Sequence, residues 1–263
     1  MRLDPRVRIP YTVQYSFGVE RQLAKSTTLN VSYLGSRGIS LFRSRDLNAP
    51  APPDYLARPD ANISVLRQIE SSGRQAGQSL EVSLRGSVSR YFSGMIQYVV
   101  GRTSNNTGGV IWFPANNYDY SGEWARADFD QRQRFNLLGT MRPGKWLNLG
   151  MGVSLYSGQP YSLTTGLDDN RDGLANDRPA GVARNSLTGP AFAEVDLRWS
   201  HDFLLNRAKK DKGPMVTVGV DAFNALNTVN DAGYVGNLSS PFFGHAVAAR
   251  PPRRVQLSMR FRF

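Results

Sequence analysis

The sequence predicts an all-β protein: an antiparallel, up-and-down transmembrane β-barrel segment of about nine strands. Three observations predict this class. Apolar and polar residues alternate with period two in nine segments, which is the pattern of strands with one apolar and one polar face. The connections between these segments are alternately short and long. Charged residues lie on the polar faces and are nearly absent from the apolar faces.

The first five strands follow one another with clear apolar faces. These faces are formed by Tyr11, Val13, Tyr15, Phe17 and Val19; by Leu29, Val31 and Tyr33; by Leu80, Val82 and Leu84; by Ile96, Tyr98 and Val100; and by Phe135, Leu137 and Met141. The residues between them are mostly Ser, Thr, Asn, Gln, Glu and Arg. Each of these segments is therefore predicted to be a strand with one polar face in contact with water.

The last four strands repeat the pattern with longer apolar faces. They are formed by Leu147, Leu149, Met151, Val153 and Leu155; by Ala193, Val195, Leu197 and Trp199; by Val216, Val218, Val220 and Ala222; and by Val255, Leu257, Met259, Phe261 and Phe263. No segment has a convincing helical period of 3.6 residues. The sequence therefore predicts no helix.

The lengths of the connections indicate which strand ends lie at the same end of the sheet. Short links lie around Ala24 and Lys25, at 91–94, at the Pro-Gly turn 142–145 and at 202–214, whereas the links 35–77, 102–133, 157–190 and 226–252 are long. Loops of this length are uncommon in compact soluble domains. Transmembrane β-barrels combine short periplasmic turns with long extracellular loops. We therefore expect the long links outside the cell.

Alternation alone leaves two interpretations open. In a membrane barrel the apolar face meets lipid and the polar face lines a wet lumen. In a soluble or surface-attached all-β adhesin the apolar face is the inside. Strands of about 8–12 residues match the ~9–11 that cross a bilayer at a tilt. Strand length and loop asymmetry favour the membrane interpretation.

Composition excludes several other classes. The 263 residues contain no cysteine, so disulfides, thiolate metal sites and cysteine nucleophiles are impossible. The net charge is +11, but the arginines are spread over the strands, and the one dense run is 206–213. We therefore expect no nucleic-acid partner. No apolar run approaches the ~20 residues of a transmembrane helix, and the first residues contain no signal-peptide core.

The loop "DDNRDGLAND" contains a candidate metal site. Asp168, Asn170 and Asp172 are followed by Gly173 in a D-x-N-x-D-G arrangement. Alternate oxygens on a tight loop suit a hard cation such as Ca²⁺, and glycine permits the sharp turn. The twelfth position is a proline where an EF-hand has a bidentate glutamate, and Asp177 is the candidate substitute. A solvated polar loop without metal is the alternative.

Other polar residues give weaker signals. Glu194 and Asp196 share a strand face, but Arg198 on that face favours an ion-pair ladder over a catalytic carboxylate pair. His201 and His245 are the only histidines and lie on different links, without metal-ligand spacing. No nucleophile, zinc or nucleotide motif occurs. We therefore expect no enzymatic activity and no certain cofactor.

Aromatic residues mark the strand ends and one long loop. Those near strand ends are Tyr11, Tyr33, Tyr91, Phe92, Trp112, Trp146, Tyr156 and Trp199, which is typical of interfacial girdles. Tyr118, Tyr120 and Trp124 lie in the second long loop, where they could stack on a ligand such as a sugar.

Several sequence segments, which follow one another along the chain in the same order, resemble those of a known protein family. They are "PYTVQYSFGVERQLAKSTTLNVSYLGSRGISLFR" at 10–43, "ADFDQRQRFNL" at 127–137, "SGQPYSLTTGLDDNRDGLANDRPAG" at 157–181 and "DAFNALN" at 221–227. Together they resemble the C-terminal barrel of TonB-dependent outer-membrane receptors. The closest type is Oar-like, with an N-terminal carboxypeptidase-regulatory-like domain. The ending "VQLSMRFRF" resembles the terminal strand signal of outer-membrane barrels.

The resemblance implies a 22-stranded barrel with a plug and a TonB box in the outer membrane of a Gram-negative bacterium. Residues 1–263 would be its C-terminal part, without the plug and the first strands. The implied partners are outer-membrane lipid, the TonB complex through the missing plug, and the barrel-assembly machinery. That machinery would read Val255, Leu257, Met259, Phe261 and Phe263. The implied function is uptake or surface binding of an unnamed substrate.

Overall fold

Nine long strands form one antiparallel sheet. The computed structural model describes residues 1–87, 91–144, 147–205 and 213–263. The strands are β1 (Tyr11–Ala24), β2 (Thr27–Asp46), β3 (Arg67–Ser87), β4 (Phe92–Asn105), β5 (Gln133–Gly144), β6 (Leu147–Tyr156), β7 (Phe192–Leu204), β8 (Met215–Phe223) and β9 (Arg254–Arg262). All nine coincide with strands predicted from the alternation.

The strands pair in chain order, each with the strand before it and the strand after it. This is the predicted up-and-down meander. Within the described part of the chain, β1 pairs only with β2, and β9 pairs only with β8. The sheet is therefore open at both edges.

The register places residues of like polarity in rows across the sheet. One row runs from β1 to β7 through Val19, Val31, Val82, Tyr98, Phe135, Leu155 and Ala193. The next runs through Glu20, Asn30, Ser83, Gln97, Asn136, Ser154 and Glu194. Successive side chains of a strand point to opposite faces, so the two rows lie on opposite faces of the sheet. The alternation read from the sequence is thus a property of the whole sheet.

Two strands are longer than predicted. We expected one long link at 35–77, but β2 continues to Asp46 and β3 begins at Arg67, so the connection spans only 47–66. Irregular pairing, between Gly38 and Leu41 and again between Leu41 and Arg43, interrupts the alternation in this extension. The prediction was wrong because these bulges break the period of two on which it depended.

The long connections fold into a compact cap at one end of the sheet. Ala125–Arg126 pairs with β4, Pro160–Tyr161 pairs with Leu187–Thr188, and Asp231–Tyr234 pairs with Ala246–Ala249. Arg2–Leu3 lies parallel to β3, and Ser121–Glu123 forms one 3₁₀ turn. We call the connections 47–66, 106–132 and 157–191, with the outer ends of β2 and β3, the loop cap.

Burial is the reverse of that in a soluble domain. Only four apolar residues of the described chain are buried, all of them Ala or Val, whereas sixteen polar or charged residues are buried. Large apolar side chains such as Phe17, Leu257 and Met259 are exposed. The sheet therefore presents its apolar face outward. No helix among the described residues is long and apolar enough to span a membrane.

Three sequence expectations fall on residues that lie outside the described ranges. These are most of the basic run 206–213, Lys145 of the turn at 142–145, and Trp146 of the aromatic girdle. β5 ends at Gly144 and β6 begins at Leu147, so Arg142, Pro143 and Gly144 of the expected turn belong to β5.

Candidate functional site in the loop cap

Two buried residues hold the first loop against the end of β2. The carboxylate of Asp46 accepts the backbone N–H groups of Asn48 and Leu66, at 2.9 and 2.8 Å. The side chain of Asn48 both donates to and accepts from the backbone of Asp60. Polar side chains therefore replace an apolar core in this loop, and the loop needs no hydrophobic packing to keep its shape.

Two side chains join all three loops of the cap. Arg58, from the first loop, donates to the carboxylate of Asp46 at 3.0 Å and to the backbone oxygen of Asp172 at 2.6 Å. Asn117, from the second loop, accepts from the backbone N–H of Asp46 and donates to the Asp172 carboxylate, at 2.8 and 2.9 Å. The third loop is thereby held by the other two.

The predicted metal-loop residues come together within that third loop. Asp168 accepts the N–H groups of Asp172 and Gly173, both at 2.9 Å. Asp177 accepts the side-chain amide of Asn170 at 2.8 Å and the N–H of Asp169 at 2.7 Å. Gly173 has a φ of +92°, which confirms the sharp turn expected there.

Burial perturbs two carboxyl groups of this loop. The pKa of Asp172 is raised to about 6, chiefly by desolvation and also by the nearby carboxylates of Asp177, Asp168 and Asp46, while a backbone hydrogen bond from Leu174 acts in the opposite direction. Desolvation also raises the pKa of Asp177. Two carboxyl groups that resist ionisation in a common loop would gain from a nearby positive charge.

The described residues contain no group of three or more His, Cys, Asp or Glu side chains placed to hold a metal ion. The oxygens of Asp168, Asp172 and Asp177 are engaged with N–H groups of the protein. Calcium binding by Asp168, Asn170, Asp172 and Asp177 therefore stays a prediction.

The aromatic residues of the second loop pack against arginines. The Arg43 guanidinium lies 3.4 Å from the centre of the Tyr120 ring, and the Arg45 guanidinium lies 5.8 Å from that of Tyr118. The Tyr118 hydroxyl donates to the backbone oxygen of Ala49 at 2.6 Å. Tyr118 and Tyr120 therefore each present a ring face to an arginine of β2, and Trp124 remains about half exposed.

A cavity of about 290 Å³ lies beneath these loops. Its charged lining consists of Arg43 from β2, Glu123 and Asp128 from the second loop, and Arg178 and Arg184 from the third loop. Glu123 accepts from Arg178 at 2.5 Å and lies 3.7 Å from Arg184. This cluster was not predictable from the sequence, because its members are spread over 43–184 and match no motif.

The carboxylates of β7 pair with residues of neighbouring segments. We expected an ion-pair ladder within the strand, but Arg198 pairs instead with Asp221 of β8, at 3.5 Å. The reason is register, because Asp221 lies directly opposite Arg198. Asp196 accepts the N–H of Asn224 at 2.9 Å. His201 lies between the rings of Trp199 and Phe203, and His245 is on a distant link.

The closing strand has the two faces read from the sequence. Val255, Leu257, Met259 and Phe261 lie opposite Ala222, Val220, Val218 and Val216 of β8. The Phe263 ring meets that of Phe261 edge to face, with centroids 4.7 Å apart, and is almost fully exposed. The apolar face therefore continues across the last two strands.

Solved structures with a similar fold are outer-membrane proteins. The outer membrane transporter YddB from Escherichia coli matches 97% of this chain with a TM-score of 0.65 and 10% identity. The ferric-catecholate import receptor Fiu from E. coli K12, in its closed form, matches 95% with a TM-score of 0.55 and 12% identity. The chain covers only 33% and 27% of those two chains. No curated protein sequence matches this chain significantly.

The fold and the exposed apolar face define an outer-membrane β-barrel protein. Residues 1–183 match the family model of the outer membrane beta barrel domain, and the chain belongs to that family. Its location is the outer membrane, as predicted. The soluble all-β alternative, in which the apolar face is the inside, is not supported, because this face is exposed on a single sheet.

Proposed function

We propose that this chain forms part of the barrel wall of a TonB-dependent, Oar-like receptor that takes up or binds a substrate at the cell surface. The observation that carries the proposal is the open sheet. Unpaired N–H and C=O groups in hydrocarbon cost several kcal/mol each, so membrane strands are found in closed barrels. The free edges of β1 and β9 therefore need partner strands.

The size of the similar structures supports the same proposal. The chain spans about a third of the length of the YddB transporter, and its nine strands would form part of a larger wall. In this arrangement the long loops face outward, and the lumen beside the polar rows holds a plug that contacts TonB. The chain contributes binding and transport and has no catalytic role. Lipid and the barrel-assembly machinery are its further partners.

Thiol labelling tests the orientation of the wall. Asp196→Cys and Leu197→Cys are made separately in the complete outer-membrane protein. Because this chain contains no cysteine, the introduced residue is its one reactive thiol in each variant. A water-soluble thiol reagent applied to outer membranes should label position 196 and spare position 197. After denaturation, both positions should be labelled equally, which is the control for reactivity. Labelling at 197 alone in membranes would contradict the proposed wall.

TonB dependence needs a separate test. The DNA directly upstream of this chain should encode a plug in frame, and the purified complete protein should bind the periplasmic domain of TonB. If no plug is encoded and no TonB is bound, the TonB-dependent part of the proposal is wrong. The outer-membrane location does not depend on that result.

A further inference from the structure

Unpartnered polar atoms cluster around the cavity of the loop cap. Among the described residues, five buried side-chain polar atoms have no hydrogen-bond partner. Three of them, Arg43 Nη2, Asn176 Oδ1 and Arg184 Nε, belong to residues that line this one cavity, and of these Arg184 Nε still lies 3.7 Å from Glu123 Oε2 in an ion pair. A fourth is the hydroxyl of Tyr120, whose ring packs on Arg43. Buried polar groups are almost always hydrogen-bonded, so this clustering points to a ligand.

The charge of the lining favours an anion. Arg43, Arg178 and Arg184 contribute three positive charges, and Glu123 and Asp128 contribute two negative charges, so the lining carries a net charge of +1. Glu70, which lies 3.5 Å from Arg43 Nε, does not line the cavity. Burial lowers the pKa of Arg184, although Asp128, at 3.1 Å, and Glu123, at 3.7 Å, already supply counter-charges to it. A bound carboxylate would therefore stabilise the Arg43 guanidinium, whose Nη2 has no partner, with charge-assisted hydrogen bonds.

The orientation of Asn176 adds a second requirement. Its amide nitrogen points at the backbone oxygens of Phe113 and Pro114, at 3.3 and 3.5 Å, which leaves Oδ1 as an acceptor without a donor. A ligand that satisfies it needs a hydroxyl or N–H group. Trp112 and Phe113 supply an apolar wall. A ligand that fits this cavity therefore has a negative charge, a hydrogen-bond donor and an apolar face.

We propose that this cavity binds a small hydroxylated carboxylate, of which a sugar acid is the best-fitting form. Its carboxylate pairs with the unpartnered Nη2 of Arg43, a hydroxyl donates to Asn176, and the ring lies against Trp112 and Phe113. A volume of about 290 Å³ is at the lower end of ligand pockets, so the ligand is no larger than a monosaccharide. The inference rests on the proposed function only for placing the cavity on the outer side of the membrane.

Calorimetry on the complete protein, purified from outer membranes in detergent, tests this site. Glucuronate is the probe, glucose is the control without a carboxylate, and inorganic phosphate is the control without hydroxylated carbon. We expect saturable binding of glucuronate and none of glucose. Arg43→Gln should weaken glucuronate binding at least ten-fold, which corresponds to ~1.4 kcal/mol. Arg45→Gln should leave it unchanged, because Arg45 also has an unpartnered buried Nε but does not line the cavity.

Each other result overturns the inference. Equal weakening by both arginine variants would mean a general charge effect, and binding of phosphate as tight as glucuronate would mean an unselective anion site. Absence of glucuronate binding would remove the site altogether. If Arg43→Gln does not fold, Asn176→Ala must show the same weakening. None of these outcomes changes the expected results of the thiol-labelling and TonB-binding experiments. Failure of the ligand site can therefore be distinguished from failure of the proposed receptor function.

Discussion

The sheet and the loop cap are built on opposite rules. On β9, Leu257 and Met259 are 77% and 78% exposed, whereas Asn117 and Asp172 in the cap are both 2% exposed. The sheet places apolar groups outside because hydrocarbon surrounds it, so it gains nothing from an apolar interior. The cap lies in water, where burying polar groups is costly unless they bond to one another. This reversal of burial between the sheet and the cap marks where the surroundings of the protein change from lipid to water.

Stability in the two regions therefore rests on different interactions. The strands are held by backbone hydrogen bonds and by cross-strand rows of apolar side chains on the lipid side. The cap is held by side chains that bridge loops, such as Arg58 to Asp46 and Asp172, and by ion pairs around Glu123. A substitution in the sheet should therefore act through contact with lipid, whereas a substitution in the cap should act through hydrogen bonds and ion pairs.

The largest effect should come from removing the buried carboxylate of the cap. Glu123 is 4% exposed, accepts the N–H of Ala115 at 3.1 Å and pairs with Arg178. Glu123→Ala leaves the buried Arg178 without its counter-charge, which typically costs ~3–5 kcal/mol. Limited proteolysis should show loop 106–132 cleaved faster, with the sheet intact. Glu20→Ala on the exposed polar row is the matched control, and equal protease sensitivity of both variants would contradict the argument.

The next effect tests the lipid side of the comparison. Val82 lies in the apolar row of β3, and Ser83 lies in the neighbouring polar row. Val82→Arg would place a charge toward lipid, at a cost of ~2–4 kcal/mol near the bilayer midplane. Ser83→Arg would place it in the wet lumen at little cost. Urea unfolding of the complete protein in lipid vesicles measures both, and a larger loss from Ser83→Arg would reverse our assignment of the faces.

Sequence patterns predicted the sheet well because period two is a local signal. Every apolar row is already visible in single strands, such as Leu80, Val82 and Leu84 of β3. The pattern could not reveal the outer extensions of β2 and β3, because the extension of β3 is mostly polar and bulges interrupt the alternation of β2 around Ile39, Leu41 and Phe42. Strand ends in water carry no periodic constraint, which is why the expected link 35–77 was too long.

The candidate site was only partly predictable. The loop 168–177 could be read from spacing, since its carboxylates accept backbone N–H groups within ten residues. The cavity could not, because its lining comes from β2 and from the second and third loops, which place Arg43 and Arg184 at one cavity although they are far apart in the chain. Nor could the sequence show that Arg198 pairs across strands, since this depends on the register of β7 with β8. Long-range contacts of this kind are not visible in local sequence.

A smaller effect should follow from calcium at the third loop. If Asp168, Asn170, Asp172 and Asp177 bind Ca²⁺, the cation should slow protease cleavage of the loop 166–179 at pH 7.5, and Asp172→Ala should abolish this gain. Because burial raises the pKa of Asp172 to about 6, protons compete with the cation below that pH, and the gain should shrink at pH 5. Equal cleavage of the unaltered loop with calcium and with chelator would show that the loop binds none.

The smallest effect on stability should come from the last ring of the lipid-facing side. Phe263 is 96% exposed, so its loss removes much less than the ~1.5–3 kcal/mol of a fully buried aromatic side chain. If the assembly machinery reads this residue, deleting Phe263 should nevertheless sharply lower the surface-exposed fraction of total protein in cells. The molecules that do assemble should unfold normally. Phe263→Trp, which keeps an aromatic ring, is the control and should restore much of the surface fraction. An unchanged surface fraction after deletion would mean that Phe263 only extends the apolar face of β9.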